Sequence, residues 1–71
     1  MEVCINGDLH HVSDSVGTID DLLKVLGLKS EGRIVEVNGE LFKESAFHVA
    51  KVSDGAVIEI IQFMGGGDFL L

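Results

Sequence analysis

The stretch that decides the fold lies near the end of the chain and reads Val57-Ile58-Glu59-Ile60-Ile61-Gln62-Phe63-Met64, followed directly by Gly65-Gly66-Gly67. Its first eight residues are mostly apolar and often β-branched, which is typical of a strand. Glycine has no Cβ and loses the most backbone entropy when it is ordered, so three in a row contribute little to a core. Extended, they would reach about 10 Å past the strand. The sequence predicts a folded domain over residues 1–64 and a flexible tail over residues 65–71.

The length and composition of the chain limit the number of domains, the kinds of site and the classes of partner that are possible. A chain of 71 residues has room for one core. Its single Cys4 cannot form an internal disulfide, and no Cys and His cluster shows metal-ligand spacing. Glu2 and Asn6 interrupt the apolar start, and no apolar run is long enough to span a bilayer, so we expect a cytoplasmic protein. The net charge of −7 argues against nucleic acid and anionic membrane as partners. The negative charge favours a partner protein with a basic surface, although a role in solubility alone explains the charge equally well.

The upstream half predicts a hairpin and a helix. Residues 1–6 alternate in polarity as a half-buried strand does, Gly7-Asp8 predicts a turn, and residues 9–12 predict the returning strand. Thr18 is a good N-cap, two aspartates follow in the first turn, and apolar residues recur at helical spacing until Gly27 ends the helix.

The second half predicts further strands. A β-branched run over residues 34–38 ends in Asn38-Gly39, a strong turn signal. Residues 41–42 can form a short strand, residues 43–47 are long enough for one helical turn, and Asp54-Gly55 predicts a turn before the last strand. Strand, strand, helix, strand, short strand and strand in this order indicate an α+β domain of the β-grasp (ubiquitin-like) type, with a mixed sheet of four to five strands and the helix on one face. The expected core consists of Val3, Ile5, Leu22, Leu23, Leu26, Ile34 or Val35, Ile58 and Ile60.

With this arrangement, the chain resembles the ThiS branch of the ubiquitin-like sulfur carriers along nearly its whole length. The resemblance rests on four segments: Val3 to Gly7, Thr18 to Leu23, Val35 to Glu40, and Asp54 to Ile60 followed by the three glycines. It implies a carrier for thiazole formation in thiamine biosynthesis, and not an enzyme. In this family a ThiF-like enzyme uses ATP to adenylate the C-terminal glycine, which becomes a thiocarboxylate and donates sulfur through a ThiG-like thiazole synthase. The resemblance implies no bound cofactor.

One feature departs from that family, whose members end at their glycines. Here Asp68, Phe69, Leu70 and Leu71 follow, so Gly67 is in a peptide bond and cannot be adenylated. We expect a protease to remove these four residues and to leave Gly67 as the working terminus, with Gly65 and Gly66 as its tail.

Other residues are candidates for contact with partners. If Ile58 faces the core, Ile61 and Phe63 lie on the helix-free face near the tail, and we expect them and Met64 to bind a partner. Cys4 is predicted on the same outer face, where inert packing is a better explanation than a persulfide relay. The adjacent His10 and His11 point to opposite faces, which disfavours a metal site.

Two alternatives stay open from the sequence. The same carrier chemistry could serve molybdopterin, cysteine or homocysteine synthesis, because the acceptor enzyme determines the product. A protein of another class, a β-grasp interaction module with glycines as a spacer, would keep its last four residues.

Overall fold

The computed structural model describes residues 1–63, which form a five-stranded mixed sheet with one helix packed on one face. In chain order the elements are β1 Glu2–Ile5, β2 Asp8–His11, α1 Ile19–Val25, β3 Arg33–Val37, β4 Glu40–Lys43, a 3₁₀ turn Glu44–Ala46, and β5 Val57–Gln62. The sheet order is β2-β1-β5-β3-β4, with β5 parallel to β1 and antiparallel to β3. The predicted β-grasp fold is confirmed. Met64 and the predicted tail at residues 65–71 lie outside the described residues.

The helix begins and ends where the local sequence predicts. The Thr18 hydroxyl accepts a hydrogen bond from the Asp21 N–H (3.2 Å), and the Asp21 carboxylate accepts one each from the Gly17 N–H (2.9 Å) and the Thr18 N–H (3.1 Å). These backbone bonds lower the pKa of Asp21, because they stabilise its charged form. At the other end Gly27 has a φ of +73°, and the Leu28 N–H donates to the Leu23 carbonyl (2.9 Å).

Both hairpins turn on an Asn-Gly pair. Asn38 and Gly39 have φ values of +50° and +88°, as the strong turn signal predicts. Asn6 and Gly7 have φ values of +50° and +89°. The predicted turn at Gly7-Asp8 was therefore wrong by one residue: a two-residue turn of this kind needs positive φ at both central positions, which Asn and Gly adopt, and Asp8 already belongs to β2.

The core lies between the helix and the inner face of the sheet. Its buried apolar residues are Val3, Ile5, Val16, Ile19, Leu22, Leu23, Val35, Val37, Phe47, Ala50, Val52, Ala56 and Ile58. Of the predicted core, Leu26 and Ile60 are only half-buried at its edge, and Val35 rather than Ile34 is the buried member of β3.

The loop before β5 contributes to the core, which the sequence pattern does not predict. Phe47 is fully buried there. This loop also supplies hydrogen-bond acceptors to the start of the helix, since the Ile19 N–H donates to the Ala50 carbonyl (3.0 Å) and the Asp20 N–H to the Phe47 carbonyl (3.1 Å). The loop thus packs under the helix and satisfies two of its free N–H groups.

Candidate functional site

The described chain ends at the centre of the sheet. β5 has β1 on one side and β3 on the other, and the Phe63 N–H donates to the Gly32 carbonyl (2.8 Å), which continues the β3 pairing one residue past the strand. The predicted sulfur-carrying residue, Gly67, therefore follows the central strand by only a few residues. Gly67, its neighbours Gly65 and Gly66, and residues 68–71 lie outside the described residues.

Two asparagines hold β5 from the hairpin turns. The Asn38 side-chain oxygen accepts a hydrogen bond from the Val57 N–H (2.9 Å), and the Asn6 side-chain oxygen accepts one from the Ile60 N–H (2.8 Å). The Asn6 N–H donates to the Ile58 carbonyl (2.9 Å), just past the last paired residue of β1, and the Asn6 side chain extends that contact toward the tail. Sequence reasoning missed both contacts. The two Asn-Gly pairs, read together as hairpin turns flanking the last strand, are the signal that could have found them.

The helix-free face of the sheet carries most of the large hydrophobic residues that are exposed among residues 1–63. Among residues 1–63, six large hydrophobic residues are exposed, and the strand registers place four of them on this face, which we call the open face: Leu9, Leu41, Val57 and Ile61. Exposed apolar side chains on a sheet face that no helix covers are typical of an interaction surface, and here the paired Glu36 and Glu59 lie among them.

Two of the residues predicted on the open face, Ile61 and Cys4, lie there in the structure. Ile61 lies there beside Ile34, and half-buried Cys4 lies between Leu9 and Val57, as the alternation predicts.

Phe63 is half-buried, and Met64 lies outside the described residues. The partner-binding role of Ile61, Phe63 and Met64 stays a prediction.

The histidines are separated as expected. His10 pairs with Val3 on the helix side, whereas His11 lies on the open face, with its Nδ1 3.5 Å from a Glu2 carboxylate oxygen. In the part of the chain that the structure describes, no three His, Cys, Asp or Glu side chains are placed to hold a metal ion. Within the same range, no helix is long and apolar enough to cross a membrane.

Known proteins share this sequence and architecture. The sequence profile of the ThiS family matches residues 2–67. The sulfur carrier protein ThiS of Bacillus subtilis is 38% identical over 63 residues, which cover 89% of this chain and 96% of that protein. A thiazole synthase of Paramagnetospirillum magneticum is 39% identical over 67 residues, which cover 94% of this chain but 20% of that protein, so the chain spans about a fifth of the synthase.

A solved structure agrees with the sequence comparisons. The crystal structure of the thiamine biosynthesis protein ThiS from Geobacter metallireducens superimposes with a TM-score of 0.79 at 35% identity, covering 94% of this chain and 100% of that one. The family profile, the similarity to a sulfur carrier protein and the shared fold agree, and the chain belongs to the ThiS family.

Proposed function

We propose that Gly67 is the residue through which this ThiS family protein carries sulfur. Members of the family are small sulfur carriers of thiamine biosynthesis and are not catalysts themselves. The observation that supports Gly67 is the extent of the family match, which ends at this residue while the chain continues for four more.

The chemistry needs only a free main-chain carboxylate from this protein. A carboxylate is a poor electrophile, because it is anionic and has no leaving group. In the proposed reaction the Gly67 carboxylate attacks the α-phosphate of ATP on a ThiF-like enzyme, pyrophosphate leaves, and an acyl adenylate forms. Sulfide then attacks the acyl carbon and AMP leaves, which gives the thiocarboxylate directly, with no change of oxidation state. ATP belongs to the enzyme, and we propose no cofactor bound to the carrier.

The peptide bond between Gly67 and Asp68 must be cut first. In the proposed maturation a protease hydrolyses this bond and releases Asp68 to Leu71. The three glycines suit both steps, because a chain without side chains can enter a narrow active site.

The open face is the proposed docking surface for the activating enzyme. It carries four exposed apolar side chains, is not covered by the helix, and includes residues of the strand that leads to the tail. The proposed sulfur acceptor is a ThiG-like thiazole synthase. Its support is that a protein named thiazole synthase contains a segment similar to 94% of this chain within a polypeptide about five times as long.

The family match favours thiazole formation over the molybdopterin, cysteine and homocysteine routes. It also disfavours a pure interaction module, because two relatives of this fold are named for sulfur carriage or thiamine biosynthesis.

Intact-mass spectrometry tests the proposal. Three chains, ending at Leu71, Gly67 and Gly66, are incubated with ATP, a sulfide source and a ThiF-like enzyme. We expect only the chain ending at Gly67 to gain about 16 Da, the exchange of one carboxylate oxygen for sulfur. No gain in that chain, with the enzyme shown to be active on another carrier, would refute the role of Gly67. A gain on the chain ending at Leu71 would refute the need for processing.

A further inference from the structure

Asn6 contacts β5 at the place where the chain turns from β1 into β2. In the parallel ladder of β1 and β5, the Cys4 N–H donates to the Ala56 carbonyl (2.9 Å). Two residues further on, the Asn6 N–H donates to the Ile58 carbonyl (2.9 Å). Such a ladder repeats at every second residue, so its next bond would join the Ile60 N–H to the main-chain carbonyl of Asn6. Asn6 instead has a φ of +50° and begins the turn to β2.

The Asn6 side chain takes the place of the missing part of the ladder. Its Oδ1 accepts from the Ile60 N–H (2.8 Å), and its Nδ2 donates to the Ile60 carbonyl (3.4 Å). A side-chain amide offers both an acceptor and a donor, as a peptide group does, so it can pair with both backbone groups of one strand residue. β5 is therefore held on its β1 side two residues past Ile58, the last residue that pairs with β1.

Asn38 makes a similar contact near the other end of β5. It has the same φ of +50° and the same place in an Asn-Gly turn, and its side-chain oxygen accepts from the Val57 N–H (2.9 Å). Val57 is the first residue of β5, whereas Ile60 lies in the second half of the strand. Of the two asparagines, Asn6 is therefore the one that holds β5 near the end from which the chain continues to Gly67.

We propose that Asn6 is a positioning residue for the adenylation of Gly67. This inference rests on the proposed function, in which the Gly67 carboxylate oxygen forms a bond to the α-phosphorus of ATP and pyrophosphate leaves. Three residues separate Phe63 from Gly67 in the sequence, so their Cα atoms are at most about 14 Å apart.

With so short a connection, a displacement of the end of β5 changes the positions that the Gly67 carboxylate can reach. Attack on an α-phosphate that the enzyme holds in place is sensitive to such displacement. By pairing with Ile60, Asn6 limits the displacement on the side of β5 where β1 no longer pairs with it.

Single-turnover adenylation of chains that end at Gly67 tests the inference. A ThiF-like enzyme in excess, with saturating ATP, gives the rate of pyrophosphate release, and calorimetric titration gives Kd for the same enzyme. Asn6→Gly keeps the turn and should lower the rate about fivefold. Its Kd should change less than about twofold, because Asn6 is not among the exposed apolar side chains of the open face. Asn38→Gly is the matched control, and its rate should change less than about twofold.

A second variant separates positioning from stability. Asn6→Asp keeps an acceptor for the Ile60 N–H but has no donor for the Ile60 carbonyl, so its rate should lie between those of the parent chain and Asn6→Gly. Thermal unfolding shows which of the four chains are folded. If Asn6→Gly is not folded, Asn6→Asp takes its place in the comparison with Asn38→Gly.

Three results would overturn the inference. Equal rates for the Asn6 and Asn38 variants would make Asn6 a structural contact only, whether both chains react normally or both react slowly. A normal single-turnover rate together with a raised Kd for Asn6→Gly would assign Asn6 to docking. Finally, if the parent chain releases no pyrophosphate with an enzyme that is active on another carrier, the proposed role of Gly67 fails and this inference fails with it. A normal parent rate with equal variant rates overturns the inference alone.

Discussion

Replacement of Val57 by serine should weaken binding of the activating enzyme, whereas the same replacement of Val25 should not. The two valines form a matched pair, because their side chains are exposed by similar fractions, 54% for Val57 and 56% for Val25. They differ in location. Val57 lies on the open face beside Cys4, whereas Val25 ends the helix on the opposite side of the sheet.

The magnitude follows from the exposed fraction of Val57. Complete burial of a valine side chain contributes about 1.5–3 kcal/mol, and about half of the Val57 side chain remains to be buried by a partner. Serine at this position should therefore cost about 1 kcal/mol of binding free energy, or roughly a fivefold increase in Kd. Folding stability should also fall by about 1 kcal/mol, because the other half of the Val57 side chain is already buried in the free protein and serine is a poorer strand residue than valine.

The assay uses chains that end at Gly67, so that processing plays no part. Calorimetric titration with a ThiF-like enzyme gives Kd for the parent chain and the Val57→Ser and Val25→Ser variants, and thermal unfolding checks that all three are folded. We expect Kd to increase about fivefold for Val57→Ser and less than about twofold for Val25→Ser. Equal Kd values for the two variants would refute the assignment of the open face, whether both bind normally or both bind weakly.

Three further predictions concern the fold. Asp21→Asn should lower Tm at pH 7 but little near pH 3: the folded pKa of Asp21 is depressed, so its stabilisation is present above the unfolded value of about 3.9 and is lost as pH falls through the folded pKa. A Tm difference independent of pH would contradict this. Phe47→Ala should cost about 3–5 kcal/mol in urea unfolding, and a cost below 1 kcal/mol would contradict its burial. Asn6→Gly keeps the turn but removes both hydrogen bonds between the Asn6 side chain and the Ile60 backbone, and should speed amide exchange at Ile60 about fivefold without affecting Val57. Equal changes at both residues would argue against separate contacts.

The helix and the second hairpin could be predicted because their signals are local. Thr18 and Asp21 define the start of α1, and Gly27 defines its end. The hydrogen bonds involved join residues that are at most five positions apart in the sequence. Asn38-Gly39 likewise fixes a turn through its own backbone preferences. The alternation in β5 predicted which of its residues face outward, because a strand presents successive side chains to opposite faces.

The buried loop before β5 could not be predicted in the same way. Phe47 and Val52 follow no helical or strand period, and their burial depends on contacts with the start of the helix, about 30 residues earlier in the chain. The half-burial of Leu26 and Ile60 also depends on a distant fact, the end of β1 at Ile5. A pattern identifies the apolar face of an element, but the partner element determines how much of that face is covered.

The candidate site likewise has one part that the residue pattern predicts and one part that it does not. The reacting group proposed at Gly67 is a main-chain carboxylate, so no pattern of side chains could have predicted it. Its prediction rests on the glycines and the family resemblance. The proposed docking surface, in contrast, follows from alternation in β5 together with a helix that covers only one side of the sheet. The two are linked by β5 itself: it is held by β1, β3 and two asparagine side chains, and the predicted tail follows it closely in the sequence. A partner bound to the open face therefore meets the tail at a fixed starting point, which is what a carrier that reacts through its backbone requires.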